Sequence, residues 1–424
     1  MNRFLSVLLS FAFTVGVFAQ DEPFALGADI SWIQQRENGG VRYYHDGVQQ
    51  DPFAILKDHG FNYIRLRLFV DPTAKIPNES ESPYSAAGYC GLDSTIKMAK
   101  RIKAADLKFL LDFHYSDTWA DPAKQYKPMS WQSLTTLAQL TAKVRSYTKE
   151  SLEAFKSNGV LPDMVQIGNE TVGGMIWDVG RNYSPGSWSN FAALVNAGID
   201  GVKDVDANVK IMVHTINERN PNGWLTSLKN NGVSRVDVFG LSYYTKWHGQ
   251  PDSLQRVAAK FAADNASNNM KIAVAEYTAK YHERVNDIIF NLPNNKGFGT
   301  FIWEPADWND NDSGVVLFDW RSGTNSGRHA NAYLDDYIGL AAKYGTQVSS
   351  SSSVVPSSSS SAEQSSSSGT TAIRSIIADI PPNAKIEVYN LRGERIYGTP
   401  AQGVYVIITI LPSNNKTKRL FYVH

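Results

Sequence analysis

Eight short apolar runs, seven of them ending in polar or aromatic residues, constrain this chain more than any other feature. They are Phe24–Ile30, Tyr63–Phe69, Lys108–His114, Met164–Glu170, Lys210–Thr215, Val238–Tyr244, Lys271–Tyr277 and Gly299–Glu304. Several are apolar almost throughout, the pattern of strands in a parallel sheet covered on both faces. Amphipathic stretches separate them. After Ser94, a predicted N-cap, Ile96, Ala99 and Ile102 recur at helical spacing, with Lys97, Lys100 and Arg101 left for the wet side. Leu134–Phe155, Asn190–Val202, Leu254–Ala263 and Tyr333–Ala342 read the same way. Alternating strand and helix units of this number predict an α/β chain folded as a (β/α)₈ barrel. A doubly wound open sheet is the competing arrangement. No Gly-rich dinucleotide fingerprint or phosphate loop follows any of the runs, which weighs against it.

The barrel is expected to occupy residues 20–347. Ahead of it, Arg3 precedes the apolar stretch Phe4–Val17, and Val17-Phe18-Ala19 offers small residues where a signal peptidase cuts. Residues 1–19 therefore read as a secretory signal, too short to span a bilayer, against the alternative of an uncleaved anchor. Behind the barrel, 14 of the 20 residues from Ser349 to Ser368 are serine. A stretch that buries so little apolar surface cannot offset its ordering entropy, so residues 348–370 read as a disordered linker. The tail, residues 371–424, holds alternating segments at Lys385–Leu391, Gly403–Ile410 and Lys418–Val423, which predict a small all-β module.

Composition narrows the function. Lys+Arg and Asp+Glu are both 41, so the net charge is zero and there is no electrostatic case for a nucleic-acid partner. The single cysteine, Cys90, excludes an intramolecular disulfide and a cysteine zinc site. The expected protein is secreted, extracellular or attached to the cell surface, monomeric, and without a stable membrane span.

In a (β/α)₈ barrel the functional side chains gather at the carboxyl ends of the strands. Those ends carry Arg65 and Arg67, Asp112 to Tyr115, Gly168-Asn169-Glu170, His214, Ser242-Tyr243-Tyr244, Glu276-Tyr277 and Trp303-Glu304. One such polar group is ordinarily a satisfied core residue; seven strands doing the same at one level point to a site. Glu170 and Glu276 end the fourth and seventh runs, roughly opposed across the mouth. Two carboxyl groups across a cleft are the minimal machinery of glycoside hydrolysis, one as acid and the other as nucleophile or base. The competing reading makes one of them a structural partner of Arg65 or Arg67.

Gly168-Asn169-Glu170, with a second glutamate ending the seventh strand, resembles the retaining (β/α)₈ glycosidases. Within that clan the chain is similar to the endo-β-1,4-galactanase family, which cleaves arabinogalactan. The matching segments include Gly27-Ala28-Asp29-Ile30-Ser31, Arg65-Leu66-Arg67, Ser116-Asp117-Thr118-Trp119-Ala120-Asp121-Pro122 and Trp303-Glu304-Pro305-Ala306. The resemblance implies Glu170 as general acid/base, Glu276 as nucleophile, and Asn169 as hydrogen-bonding the sugar 2-hydroxyl. It implies further that Arg67 and Tyr243 hold Glu276 ionised, and that His114, His214 and Trp303 line the subsite of the sugar being cleaved. Asp117, Trp119 and Trp247 are expected to bind substrate, with Trp177 and Trp308 as further candidate sugar platforms. Tyr277 stands where the family usually has threonine.

No cofactor is required by this chemistry. Asp307, Asp310, Asn311 and Asp312 form an oxygen-rich loop that could hold a structural calcium, although such runs are commonly turns. His114 and His214 offer zinc-type ligands for which carboxylate chemistry has no use. Ile386 to Gly393 and Gly403-Val404-Tyr405 resemble the C-terminal sorting tails that engage bacterial secretion machinery, with a carbohydrate-binding module as the alternative. Three functions remain: an endo-galactanase, a related hydrolase acting on mannan or glucan, and a non-catalytic carbohydrate-binding protein.

Overall fold

The predicted runs form strands where their apolar residues can be buried from both sides. A computed structural model of the chain describes residues 22–307 and 315–346 and, in the tail, the backbone of four strands. Among the described residues, eight parallel strands close into a barrel: β1 (Ala25–Asp29), β2 (Tyr63–Leu68), β3 (Lys108–Phe113), β4 (Met164–Ile167), β5 (Lys210–Ile216), β6 (Val238–Tyr243), β7 (Lys271–Tyr277) and β8 (Gly297–Trp303). The chain is a (β/α)₈ barrel, with β1 hydrogen-bonded to both β2 and β8.

A helix follows each strand: α1 (Pro52–Asp58), α2 (Leu92–Ala104), α3 (Leu137–Ser157), α4 (Trp188–Lys203), α5 (Pro221–Asn230), α6 (Pro251–Asp264), α7 (His282–Phe290) and α8 (Ala332–Tyr344). Ser94 is not the cap of α2. The helix starts after Gly91, and the Ser94 hydroxyl donates to Gln34 Oε1 at 2.6 Å. α3 begins later than its apolar pattern suggests, because Thr136 and Gln139 form a reciprocal capping box that fixes its first turn.

Strand alternation sorts the side chains into two cores. Ile64, Leu66 and Leu68 of β2 face the helices, whereas Tyr63, together with Leu110, Met164, Met212, Val238 and Phe301, fills the lower barrel interior. Gly27 of β1 is required there, since a Cβ would stand 2.2 Å from the Phe301 ring. Above this apolar plug the inward positions become polar: Arg65 and Arg67, Asp112, Gln166, His214 and Ser242, all fully or almost fully buried. The site is built from this upper tier.

A small sheet joins the two ends of the barrel sequence. Its strands, Phe318–Arg321, Gly327–Ala330, Tyr43–His45 and Val48–Gln49, pair in that order. The tail forms a separate unit, in which Arg395–Ile396, Lys385–Asn390, Gly403–Ile410 and Lys416–Val423 pair antiparallel in that order. The predicted signal and linker lie outside the described residues. No described helix is long and apolar enough to cross a membrane.

Candidate active site

Glu170 and Glu276 line one cavity of about 770 Å³ at the carboxyl end of the barrel. Each reaches it through a backbone irregularity. Glu170 leaves β4 in the left-handed region, with φ 45° and ψ 48°, and Tyr115 and Glu304 also turn off their strands at positive φ. Non-glycine residues held in this way cluster at functional sites because surrounding structure must support the strain. On β7 the pairing with both neighbouring strands slips between Val274 and Tyr277. This bulge re-aims the strand end, so Ala275 stays in the interior core while Glu276, the next residue, also faces the cavity.

Burial raises Glu276 above the ordinary carboxylate range, opposed by the Arg65 guanidinium and the Tyr244 hydroxyl. Arg65 Nη1 lies 3.0 Å from Glu276 Oε1, and Tyr244 Oη donates to Oε2 at 2.8 Å. These are not the partners expected. Arg67 instead pairs with Glu304 at 2.8 Å, its guanidinium stacked 4.6 Å from Trp119 and 5.2 Å from Trp32. Tyr243 faces outward and donates to Gly249 O at 2.8 Å. The alternation explains it: Ser242 and Tyr244 share the inner face, and Tyr243 between them cannot.

Glu170 has no ion pair among the described residues. Burial and the neighbouring charge of Glu276 push its pKa up to about 8, against a hydrogen bond from Ser242. Its backbone N–H donates to His214 Nδ1 at 3.2 Å, and His214 Nε2 meets Ser242 Oγ at 3.0 Å. With Nδ1 accepting, His214 donates from Nε2 to Ser242, whose hydroxyl proton is then free for Glu170. Burial, reinforced by Arg65, lowers the His214 pKa and keeps the ring neutral for this role. His214 is thus fully buried beneath Glu170 and supports it, instead of lining the cavity as expected.

Arg65 ties the floor together. It reaches Asp29 at 2.8 Å and Asp112 at 2.9 Å, and donates to Gln166 Oε1 and Asn169 Oδ1 at 3.2 and 2.9 Å. Two guanidiniums, Arg65 and Arg67, serve four buried carboxyls, Asp29, Asp112, Glu276 and Glu304, with the half-buried Glu170 beside them. Protons must make up the deficit. Accordingly Glu304 is pushed to about 8, burial outweighing Arg67, whereas Arg65 and His114 overcome the burial of Asp112 and hold it low.

Of the other predicted residues, Asn169, His114, Trp119, Trp247 and Trp303 line the cavity. Asn169 is fixed from both ends, its Nδ2 donating to Ala120 O at 2.8 Å. His114 Nδ1 accepts from Ala120 N–H, leaving Nε2 to face Asp112 at 3.1 Å. Trp247 stands 64% exposed at the rim, as a sugar platform requires. Asp117 does not reach the cavity. It is buried and accepts from the backbone of Asp71 and Met129, so this residue of the motif braces the loop that carries Trp119. Trp177 packs under Arg181. Tyr277 points away from the cavity, sharing a hydrogen bond with Tyr337. Asp307 is already engaged by Arg36 and Arg328, and Trp308, Asp310, Asn311 and Asp312 lie outside the described residues. Trp32 and Tyr244 also line the cavity without having been singled out as ligands; an aromatic three residues past Asp29, and the inward phase of β6, were the available signals.

A family model described as Glycosyl hydrolase family 53 matches residues 25–287. The chain belongs to this family. An endo-beta-1,4-galactanase of Bacillus subtilis (strain 168) is 33% identical over 328 residues, covering 69% of this chain and 72% of that relative. An arabinogalactan endo-beta-1,4-galactanase of Cellvibrio japonicus (strain Ueda107) is 34% identical over 248 residues, or 57% and 62% of the two chains. Among solved structures, the Ignisphaera aggregans GH53 catalytic domain superposes with a TM-score of 0.65 at 30% identity, covering 74% of this chain and 95% of that one. The family 53 assignment makes this barrel a glycoside hydrolase, and the span matched by the family model contains both glutamates.

Proposed function

We propose that the chain is a secreted, retaining endo-β-1,4-galactanase acting on galactan and arabinogalactan. Glu276 serves as nucleophile and Glu170 as acid/base. The observation that carries the reading is the unequal setting of two carboxyls in one cavity: Glu276 against Arg65 and Tyr244, Glu170 without a cation partner. The first favours the anion; the second favours the acid.

In the first step Glu276 attacks the anomeric carbon, the glycosidic C–O bond breaks, and Glu170 gives its proton to the leaving oxygen. Glycosylation removes the charge of Glu276, so the pKa of Glu170 falls. It then takes a proton from water as that water attacks the anomeric carbon, and Glu276 leaves as the carboxylate. Trp303, Trp119 and Trp247 offer flat apolar faces to the C–H faces of galactose rings. Two carboxyl groups suffice for this cycle, and no cofactor enters it. The relatives described as endo-β-1,4-galactanases support galactan as the substrate.

Product analysis tests the proposal. Linear β-1,4-galactan is expected to yield short galacto-oligosaccharides whose first-formed reducing ends are β by proton NMR, with the Glu276→Ala variant silent. Release from mannan or cellulose but not galactan would reject the substrate, and α reducing ends would reject retention.

The pH dependence follows from the same electrostatics. Activity needs Glu170 protonated and Glu276 ionised, so kcat/KM should be bell-shaped. Its alkaline limb belongs to Glu170, near 8. Its acid limb belongs to Glu276 and lies above the ordinary carboxylate range. Glu276→Gln removes the repelling charge, so the Glu170 pKa, followed by carbon NMR, should fall. An unchanged value would mean that burial alone sets it.

A further inference from the structure

Far from the strand ends used above, the described residues bring His45, His59 and Asp335 together, with one ligand atom of each within 4.8 Å of the others. His45 ends a strand of the small sheet, His59 follows the last residue of α1, and Asp335 sits in the first turn of α8. His59 is buried, and its Nδ1 lies 2.6 Å from Ile55 O. A backbone carbonyl can only accept, so Nδ1 carries a proton, and Nε2 is turned toward Asp335 Oδ1, 3.3 Å away.

The geometry points to a cation. We propose that His45, His59 and Asp335 form a binding site for a divalent transition-metal ion of the zinc class. Two imidazoles and a carboxylate are borderline ligands that suit such an ion better than calcium or magnesium. Metal–ligand bonds of about 2.0–2.2 Å at the tetrahedral angle place ligand atoms roughly 3.4 Å apart, close to the separation of His59 Nε2 and Asp335 Oδ1. The hydrogen bond from His59 Nδ1 to a carbonyl is the outer contact that orients a metal-binding imidazole. The His45 ring stands edge-on to His59 at 4.7 Å between centroids; it is partly exposed, and its Nε2 has only the exposed Asp46 carboxylate at 3.9 Å to exchange for an ion. A cavity of about 440 Å³ beside the cluster supplies access. Asp46, Asp319 and Asp335 line it against one cation, Arg321.

The ion would join the first and last βα units. His59 and Asp335 are 276 positions apart, so the crosslink would close nearly the whole barrel and restrict its opening. His282, Glu283 and Asp336 form a second cluster on the other flank of α8. It has one imidazole where the first has two, and it serves as the control.

The test uses the full chain after chelation and dialysis. Cobalt(II) at one equivalent is expected to give visible d–d absorption that zinc(II) abolishes. Excess zinc should raise the thermal midpoint by about 5 °C. His45→Ala and Asp335→Asn, both at partly exposed positions, should each weaken cobalt binding more than tenfold while circular dichroism stays unchanged. His282→Ala should bind as the parent does. Absence of visible bands, bands that survive in both site variants, or loss in His282→Ala instead would overturn the assignment.

Discussion

Replacing Glu276 by alanine is expected to lower kcat on galactan by a factor on the order of 10⁵ or more, the scale on which loss of a covalent nucleophile disables an enzyme. The fold should survive, because the lost carboxyl faces a cavity and its removal relieves the buried charge deficit around Arg65. Chemical rescue makes the test specific. Azide is small enough to enter the vacated space and attacks the anomeric carbon from the face Glu276 used, breaking the bond to an activated aryl leaving group. The product from an aryl β-galactoside should therefore be the α-galactosyl azide. In Glu170→Ala the glycosyl-enzyme still forms from the activated substrate, and azide attack on it should give the β-galactosyl azide. Opposite stereochemistry from the two variants separates nucleophile from acid/base. Rescue with the same anomer in both, or none in either, would remove the assigned roles.

The barrel was legible because its signal is a period. Eight apolar runs bounded by turns specify strands buried on both faces, and their ends are where a barrel keeps its chemistry. Both glutamates could be found on that rule. Their neighbours could not be assigned in the same way. Arg65 and Arg67 both point inward on β2, so alternation cannot choose between them. The choice is made by Glu304 and the Trp32 and Trp119 rings, which take up Arg67. The bulge that turns Glu276 into the cavity depends on pairing with two other strands and leaves no mark in the local sequence. Tyr243 and Tyr244 differ by one position, and only the phase of the strand decides which one reaches Glu276. Asp117 shows the converse: a specific motif residue can be held for its backbone partners alone. α1, α5 and α7 are short, and the first two begin with a proline at the first helical position, so their apolar periods are too brief to stand out.

The Arg65 contacts lead to the second large effect. Arg65→Met should destabilise the protein by about 3–5 kcal/mol, the cost of removing one partner from a buried ion network. Its guanidinium faces Asp29, Asp112 and Glu276 together and also holds Gln166 and Asn169, so no single neighbour can compensate. Denaturant unfolding measures that loss. Arg65→Lys restores the charge as a point with three donors, which cannot address three carboxylates and two amides at once. This variant should fold, yet Glu276 loses part of the field that opposes its burial, and the acid limb of kcat/KM should move to higher pH. Arg67→Lys should leave that limb in place and mainly raise KM, because its guanidinium braces the tryptophan wall and pairs with Glu304. If Arg67→Lys shifted the acid limb and Arg65→Lys did not, the nucleophile would be under the control of the other arginine, and the electrostatic assignment made from the geometry would fail.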